Sequence, residues 1–461
     1  MKKNIIIAAI AAASALLLSV SCQKENQPES QDGINGGANT FTATIEQSLT
    51  KTTLTDGVKV NWTSADKISI NGKTYTATPK DDATKASFTA EDGEATAVGG
   101  KFKAIYPSTL YVTGHFELPG TQTYSAGGFN APMYAESTTQ VLTFKNICAV
   151  LAIKVTKEDI ATLKSIKVKS DKKLNGTISV YSTSYGYYAT ISTGGTEEVV
   201  LSLSDAISLT SDGTTFYIAI PAEQKYSYLK IYLSEDGTLY KRAMITKKAA
   251  GLGTIKCNKI YNIDYQTNAV QLYANGPYWS TMNIGATTPT DYGWYFSWGN
   301  TTGYLGTDGS YSFTPGNYKD TKGYTLKNSI PVNAEYDAAY ANWGAAWKMP
   351  TGGEFGQFTA LKDNTTNVYS TGVVKGKTFT GKNSYSDITL FFPAAGYRTA
   401  TNLMVAGSDG YYWSSSLRKY PGAFADKAFH LYFIPGGNVV FTGNDYWTDC
   451  YYGYSVRPVS D

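Results

Sequence analysis

The sequence predicts a mainly β protein, with two tandem β-sandwiches followed by a segment of different character. Three observations carry that expectation. Tyrosine is abundant, at 37 of 461 residues, and it sits with many Thr and Val residues among 44 glycines; that mixture favours strands and tight turns. Short runs such as Phe41–Ile45 and Lys67–Asn71 alternate apolar and polar residues, which places one face in a core and one in water. Helix-forming patterns are confined to Ala334–Trp343 and Gly353–Leu361. The net charge of +3 is close to balance, and no basic stripe of the kind a nucleic-acid binder carries is present.

The chain opens with Lys2 and Lys3, an uncharged apolar run from Ile5 to Leu18, and the small residues Ser19 and Ser21 before Cys22. That order reads as a secretory signal peptide over residues 1–21, too short for a membrane-spanning helix. Leu18-Ser19-Val20-Ser21-Cys22 resembles a bacterial lipobox, although Ser19 stands where the strict pattern has a branched or leucine side chain. The resemblance implies lipidation at Cys22 and anchoring to the outer membrane through several acyl chains. The alternative is ordinary cleavage nearby that leaves Cys22 a free thiol. Gln23-Lys24-Glu25-Asn26 resembles the export tags of surface lipoproteins of Bacteroidetes-type bacteria. Residues 22–39 are polar and aperiodic and read as a flexible tether.

The first sandwich is expected over residues 40–137. Its strands are Phe41–Ile45, Val58–Trp62, Lys67–Asn71 running into the Asn71-Gly72 turn, and Lys101–Tyr106 before Pro107. The spacing suggests antiparallel packing. The second is expected over 138–266, opening with Val141–Phe144 and the continuous apolar run Cys148–Val155, which reads as buried on both faces. Ser165–Val168, Thr177–Val180, Thr215–Pro221, Tyr228–Leu233 and Ile260–Asp264 follow.

The order of a first strand, Thr50-Lys51-Thr52, a strand with Trp62, then Asp66, Ile68, the Tyr106-Pro107 pair and a buried strand opening a second domain resembles the fimbrillin-like family of Bacteroidales lipoproteins, the subunits of fimbriae and related surface adhesins. The resemblance spans residues 40–266. It implies Greek-key-type sandwiches, partnership with other fimbrial subunits, and assembly by β-strand addition after a trypsin-like protease removes the first strand. The matching basic residue is Lys51, where many relatives have arginine; the alternative is a solvated loop lysine.

Residues 267–461 hold seven of the eight tryptophans and 21 of the 37 tyrosines. Asp291–Gly299, Trp343–Thr351, Phe391–Arg398, Gly410–Ser416 and Gly453–Val459 form an ordered set of motifs. The set closely resembles the Fibrobacter succinogenes major paralogous domain of Bacteroidetes surface proteins. That resemblance implies an α+β, C-type-lectin-like fold with long loops on a rigid scaffold, and loops on a scaffold are where binding usually resides. Thr351 and Glu354 have the spacing of a capping box, so Glu354 reads as a helix cap before a catalytic carboxylate.

A binding role follows from the aromatics, because ring faces stack on sugars while short polar side chains hold hydroxyls. Asn444, Asp445, Trp447 and Asp449 are the candidate ligand-binding residues. Most tryptophans, notably Trp347 and Trp413, are expected in the core, and Arg398 and Arg457 are expected to fix loops. His115 and His430 are isolated, and Cys148, Cys257 and Cys450 lack metal-ligand spacing. No catalytic residue, metal or cofactor is therefore expected, and nucleic acid is not an expected partner. The reading is a fimbrial subunit at a tip position, because the closing strand Val456–Asp461 leaves no donor tail, with a lectin-like module that recognises a host or bacterial surface glycan or protein. A non-polymerising outer-membrane lipoprotein that captures glycans is the second reading, and an enzyme on surface polysaccharide is the third.

Overall fold

The computed structural model describes residues 38–46, 61–124, 129, 131–184, 186–247, 253–263, 266–315, 330–333, 335–364, 374–417, 427–436, 439–441 and 447–461. The fold is mainly β, as its composition predicts. Two short α-helices, α1 (Ala338–Trp343) and α2 (Gly352–Gly356), occur among the described residues. α1 falls inside the first stretch singled out by sequence and α2 begins one residue before the second, and Thr351 and Glu354 close the expected capping box on α2.

In chain order the first strands are β1 (Thr40–Ile45), β2 (Lys67–Ile70), β3 (Lys73–Pro79), β4 (Lys85–Ala90), β5 (Phe102–Tyr106), β6 (Tyr111–Val112), β7 (His115–Leu118), β8 (Thr121–Thr123), β9 (Met133–Ser137) and β10 (Val141–Asn146). Seven of them close a barrel in the order β1-β10-β9-β5-β2-β3-β4. One pairing departs from the antiparallel packing that the spacing suggested. β1 pairs antiparallel with β4 but parallel with β10, and the parallel pairing seals the sheet on itself. β2 and β3 are joined by Asn71-Gly72 with φ of 44° and 87°, the left-handed pair that a two-residue hairpin requires.

Barrel closure is driven by alternation. Phe41, Ala43 and Ile45 point inward from β1 while the threonines between them face out. Phe41 packs edge-on against Tyr75 and Phe102, with centroids at 5.3 and 4.9 Å. Trp62 was expected on a strand; residues 58–60 lie outside the described residues, and Trp62 itself sits in irregular chain held by its N–H to the Ala83 carbonyl at 2.7 Å. Its ring still fills the barrel, edge-on to Phe88, Tyr106 and Phe144.

Next come β11 (Ala149–Val155), β12 (Thr162–Ser170), β13 (Gly176–Thr183), β14 (Gly186–Thr193), β15 (Glu198–Ser208) and β16 (Thr214–Ile220). β11 is buried on both faces apart from Lys154, matching its continuous apolar run. It lies between β16 and Ile260–Asn262 in a three-stranded sheet. That sheet packs against an eight-stranded one over a core that includes Leu151, Ile153, Ile166, Val168, Phe216 and Ile231.

The chain interleaves these units more than its sequence suggests. The expected boundary at 137/138 falls between two barrel neighbours, since β10 pairs with both β9 and β1. β7 and β8, from the first segment, pair with β13 and β15 of the second. The boundary at 266/267 falls inside the strand Gln266–Gln271, which pairs with Tyr240–Thr246 on one side and Tyr278–Ser280 on the other. The eight-stranded sheet therefore runs on to Val459–Ser460. One aromatic-rich core joins Tyr232, Ala243 and Ile245 to Trp298, Trp347 and Trp413. The C-terminal module is fused to the second sandwich through a shared sheet and core.

Candidate functional site

Two features can carry function: the seam occupied by β1, and a tyrosine face on the C-terminal module.

β1 is six residues long and is hydrogen-bonded along both edges, with four residue pairs to β10 and five to β4. Its N-terminal side is held by the Ala38 N–H to the Ala95 carbonyl at 3.0 Å, and its C-terminal side by the Glu46 N–H to the Phe144 carbonyl at 2.9 Å. Main-chain pairing holds it along both edges, while its alternate side chains enter the core. Cys22 and Lys51, the expected lipidation and processing positions, lie outside the described residues.

On the C-terminal module, Gly410–Leu417 and Lys427–Phe433 pair antiparallel so that Tyr411 stands opposite Tyr432. Their rings are 4.9 Å apart, and both hydroxyls reach Asp409 Oδ2, at 3.5 Å from Tyr411 and 3.1 Å from Tyr432. Tyr397 packs edge-on to Tyr411 and Tyr452. All four rings are half-buried. Beneath them His430, Trp413 and Tyr454 are buried, with Trp413 stacked on Tyr454 at 4.2 Å. Burial pushes the His430 imidazole down to about 4, so it is neutral at pH 7, a packing element against the rings of Tyr411, Trp413 and Tyr454.

The sequence-derived ligand residues divide. Asn444 and Asp445 lie outside the described residues. Trp447 and Asp449 belong to the strand Trp447–Asp449, which pairs with Lys427–Phe433. The Asp449 carboxylate meets Lys427 Nζ at 3.4 Å and hydrogen-bonds Tyr451, whose ring packs on Tyr452. The structure thus brings Asp449 to the rim of the tyrosine face. Asp409, Tyr411 and Tyr432 went unremarked in the sequence as a group. Gly410-Tyr411-Tyr412-Trp413 marks one strand, but its partner lies about twenty residues on and only pairing sets Tyr411 against Tyr432.

Other polar residues are structural. Arg398 donates to the carbonyls of Leu305 and Thr401 at 2.9 and 3.0 Å, and Arg457 to those of Ser280 and Phe391 at 3.0 and 3.1 Å; Arg398 fixes loops as expected, whereas Arg457 ties together the strands Tyr278–Ser280 and Thr389–Pro393. Asp337 caps α1, accepting from the N–H groups of Ala339, Tyr340 and Met349 at 2.8 to 3.1 Å. Burial pushes its carboxyl up to about 6 against those bonds. Among the described residues Cys148, Cys257 and Cys450 are not joined in a disulfide, and burial pushes Cys148 up to about 12. Among the described residues no group of three or more His, Cys, Asp or Glu side chains is placed to hold a metal ion.

No protein-family model matches this chain, and no curated protein matches it. Among solved structures it is similar to a protein from Bacteroides ovatus named a "putative cell adhesion protein", at 16% identity over 51% of this chain and 96% of that one, with a TM-score of 0.29. A likeness that slight carries no argument about function.

Proposed function

We propose that this chain is an exported, non-catalytic cell-surface adhesion protein of the fimbrial type. In this reading it is anchored through Cys22, processed at Lys51, and joined to other subunits by β-strand addition. The observation that carries the proposal is the β1 seam: a short strand paired on both edges, with three apolar side chains filling the barrel core. Its removal leaves a slot lined by the free edges of β4 and β10, which a strand from another subunit can fill. The C-terminal module is the binding end, with a glycan or protein ligand meeting the tyrosine face. Val459–Ser460 pairs within the chain's own sheet through Tyr278–Ser280, and in this reading the chain accepts a strand at the β1 seam.

The test is mass spectrometry of the N-terminus in sheared surface filaments and in residual membranes. Filament protein beginning at Thr52 is the expected result. Protein held wholly in membranes, with Cys22 acylated and β1 intact, overturns assembly by processing and leaves an anchored glycan-binding lipoprotein in its place.

A further inference from the structure

A second polar site lies far from the C-terminal module in sequence, where the barrel meets the β13–β14 hairpin. The cleft between them has a volume of about 560 Å³. Its barrel wall carries Lys101, Tyr134 and Glu136; its hairpin wall carries Val180, Ser182 and Tyr187. The register explains the second wall. Val180 stands opposite Ala189 and Ser182 opposite Tyr187, and cross-strand partners share a face, so these side chains line up towards the barrel. Tyr181 and Tyr188, the intervening pair, face the other way and stack on each other at 5.4 Å.

The polar groups in the cleft are held in place and only partly used. One Glu136 oxygen is paired with Lys101 Nζ, and the other accepts from the Tyr134 hydroxyl at 2.9 Å. A carboxylate offers about four lone-pair positions and an ammonium three donors, so acceptor capacity on Glu136 and donor capacity on Lys101 are left over. The ion pair lowers the Glu136 carboxyl below its ordinary range, Lys101 being the largest cause. Glu136 is therefore a fixed acceptor at neutral pH. The Tyr187 ring, half-buried, packs edge-on to Tyr134 at 4.9 Å.

We propose that this cleft binds one pyranose unit of a neutral saccharide, with the sugar's apolar face against Tyr187 and its hydroxyls shared between Glu136, Lys101 and Ser182. The ligand class follows from the lining. The mutual neutralisation of Lys101 and Glu136 disfavours a charged ligand. Hydroxyls and an ion pair beside an aromatic ring suit a molecule that is apolar on one face and hydroxylated at its rim. The space is ample for one ring, with room for water to bridge. This site is independent of strand exchange at β1.

The test is saturation-transfer difference NMR on the purified full-length exported protein, with the methyl glycosides of glucose, galactose, mannose and N-acetylglucosamine as probes. At least one is expected to receive saturation, with a dissociation constant on the order of 1 mM. Tyr187→Ala should weaken it by about tenfold. Tyr187→Phe keeps the ring and should restore most binding, which separates stacking from a collapsed hairpin. Glu136→Gln keeps the shape and should also weaken binding. Tyr181→Ala, on the opposite face, should leave it unchanged. No transfer to any of the four glycosides overturns the proposal. So does binding that survives both Tyr187→Ala and Glu136→Gln, or binding lost in Tyr181→Ala alone.

Discussion

Replacing Phe41 by alanine tests whether β1 is an integral part of the barrel. Phe41 is fully buried and makes two edge-to-face ring contacts. Burial of a phenylalanine side chain is worth about 1.5–3 kcal/mol, and each ring pair adds about 0.5–1.5 kcal/mol. Those terms together are comparable to the roughly 3–5 kcal/mol that Phe→Ala costs in well-packed cores. Thr44, half-exposed on the same strand, is the control: its replacement by alanine should change stability by at most about 0.5 kcal/mol. The barrel has its own reporter in Trp62, whose ring touches Phe144 on β10, the residue paired with Ile45. Labelling with 5-fluorotryptophan and assigning the Trp62 resonance through Trp62→Phe isolates the barrel from the other seven tryptophans. With a urea slope of about 2 kcal/mol per molar, the Trp62 midpoint should fall by about 2 M in Phe41→Ala. A midpoint no lower than that of Thr44→Ala refutes the reasoning, because β1 would then contribute nothing that its departure could expose.

Three further outcomes are expected. The His430 pKa lies below its unfolded value, at about 4 against 6.5, so the unfolded chain binds the extra proton in that interval; stability is complete above pH 6.5 and falls by about 3 kcal/mol as pH drops to 4. His430→Gln should flatten that slope in thermal melts between pH 7 and 4, measured as a difference from the parent. Alkylation by iodoacetamide at pH 8, read by mass spectrometry, should modify half-buried Cys257 in the native protein and spare buried Cys148 and Cys450, which should react only in denaturant. Asp337→Ala leaves three N–H groups, two of them buried, without their acceptor and should cost about 2–3 kcal/mol in urea unfolding of the C-terminal module, whereas Asp337→Asn, which keeps an acceptor oxygen, should cost less.

Where local pattern decides structure, the sequence was a good guide. Period-2 alternation identified Phe41–Ile45, and the unbroken apolar run identified β11, because burial on one or both faces writes itself directly into residue order. Thr351 and Glu354 announced a helix start because a capping box involves only residues three apart. Trp347 and Trp413 were legible as core, and Arg398 as a loop-fixing group. Strand partners were not legible. The parallel pairing of β1 with β10 joins residues about a hundred positions apart, and main-chain pairing carries no residue code. The same limit hid the cleft between Glu136 and Tyr187, and the pair formed by Tyr411 and Tyr432.

Residue order alone specified a β-rich chain, its strand faces, the helix cap at Thr351 and the aromatic wealth of its last 195 residues. Only the tertiary structure decided that the first sheet closes into a barrel around β1, that the eight-stranded sheet welds the C-terminal module to the second sandwich, and which tyrosines share a surface. The physical reason is that alternation specifies which side of a strand is buried. Which strand lies beside it is chosen by the fit of whole faces and by satisfaction of every edge.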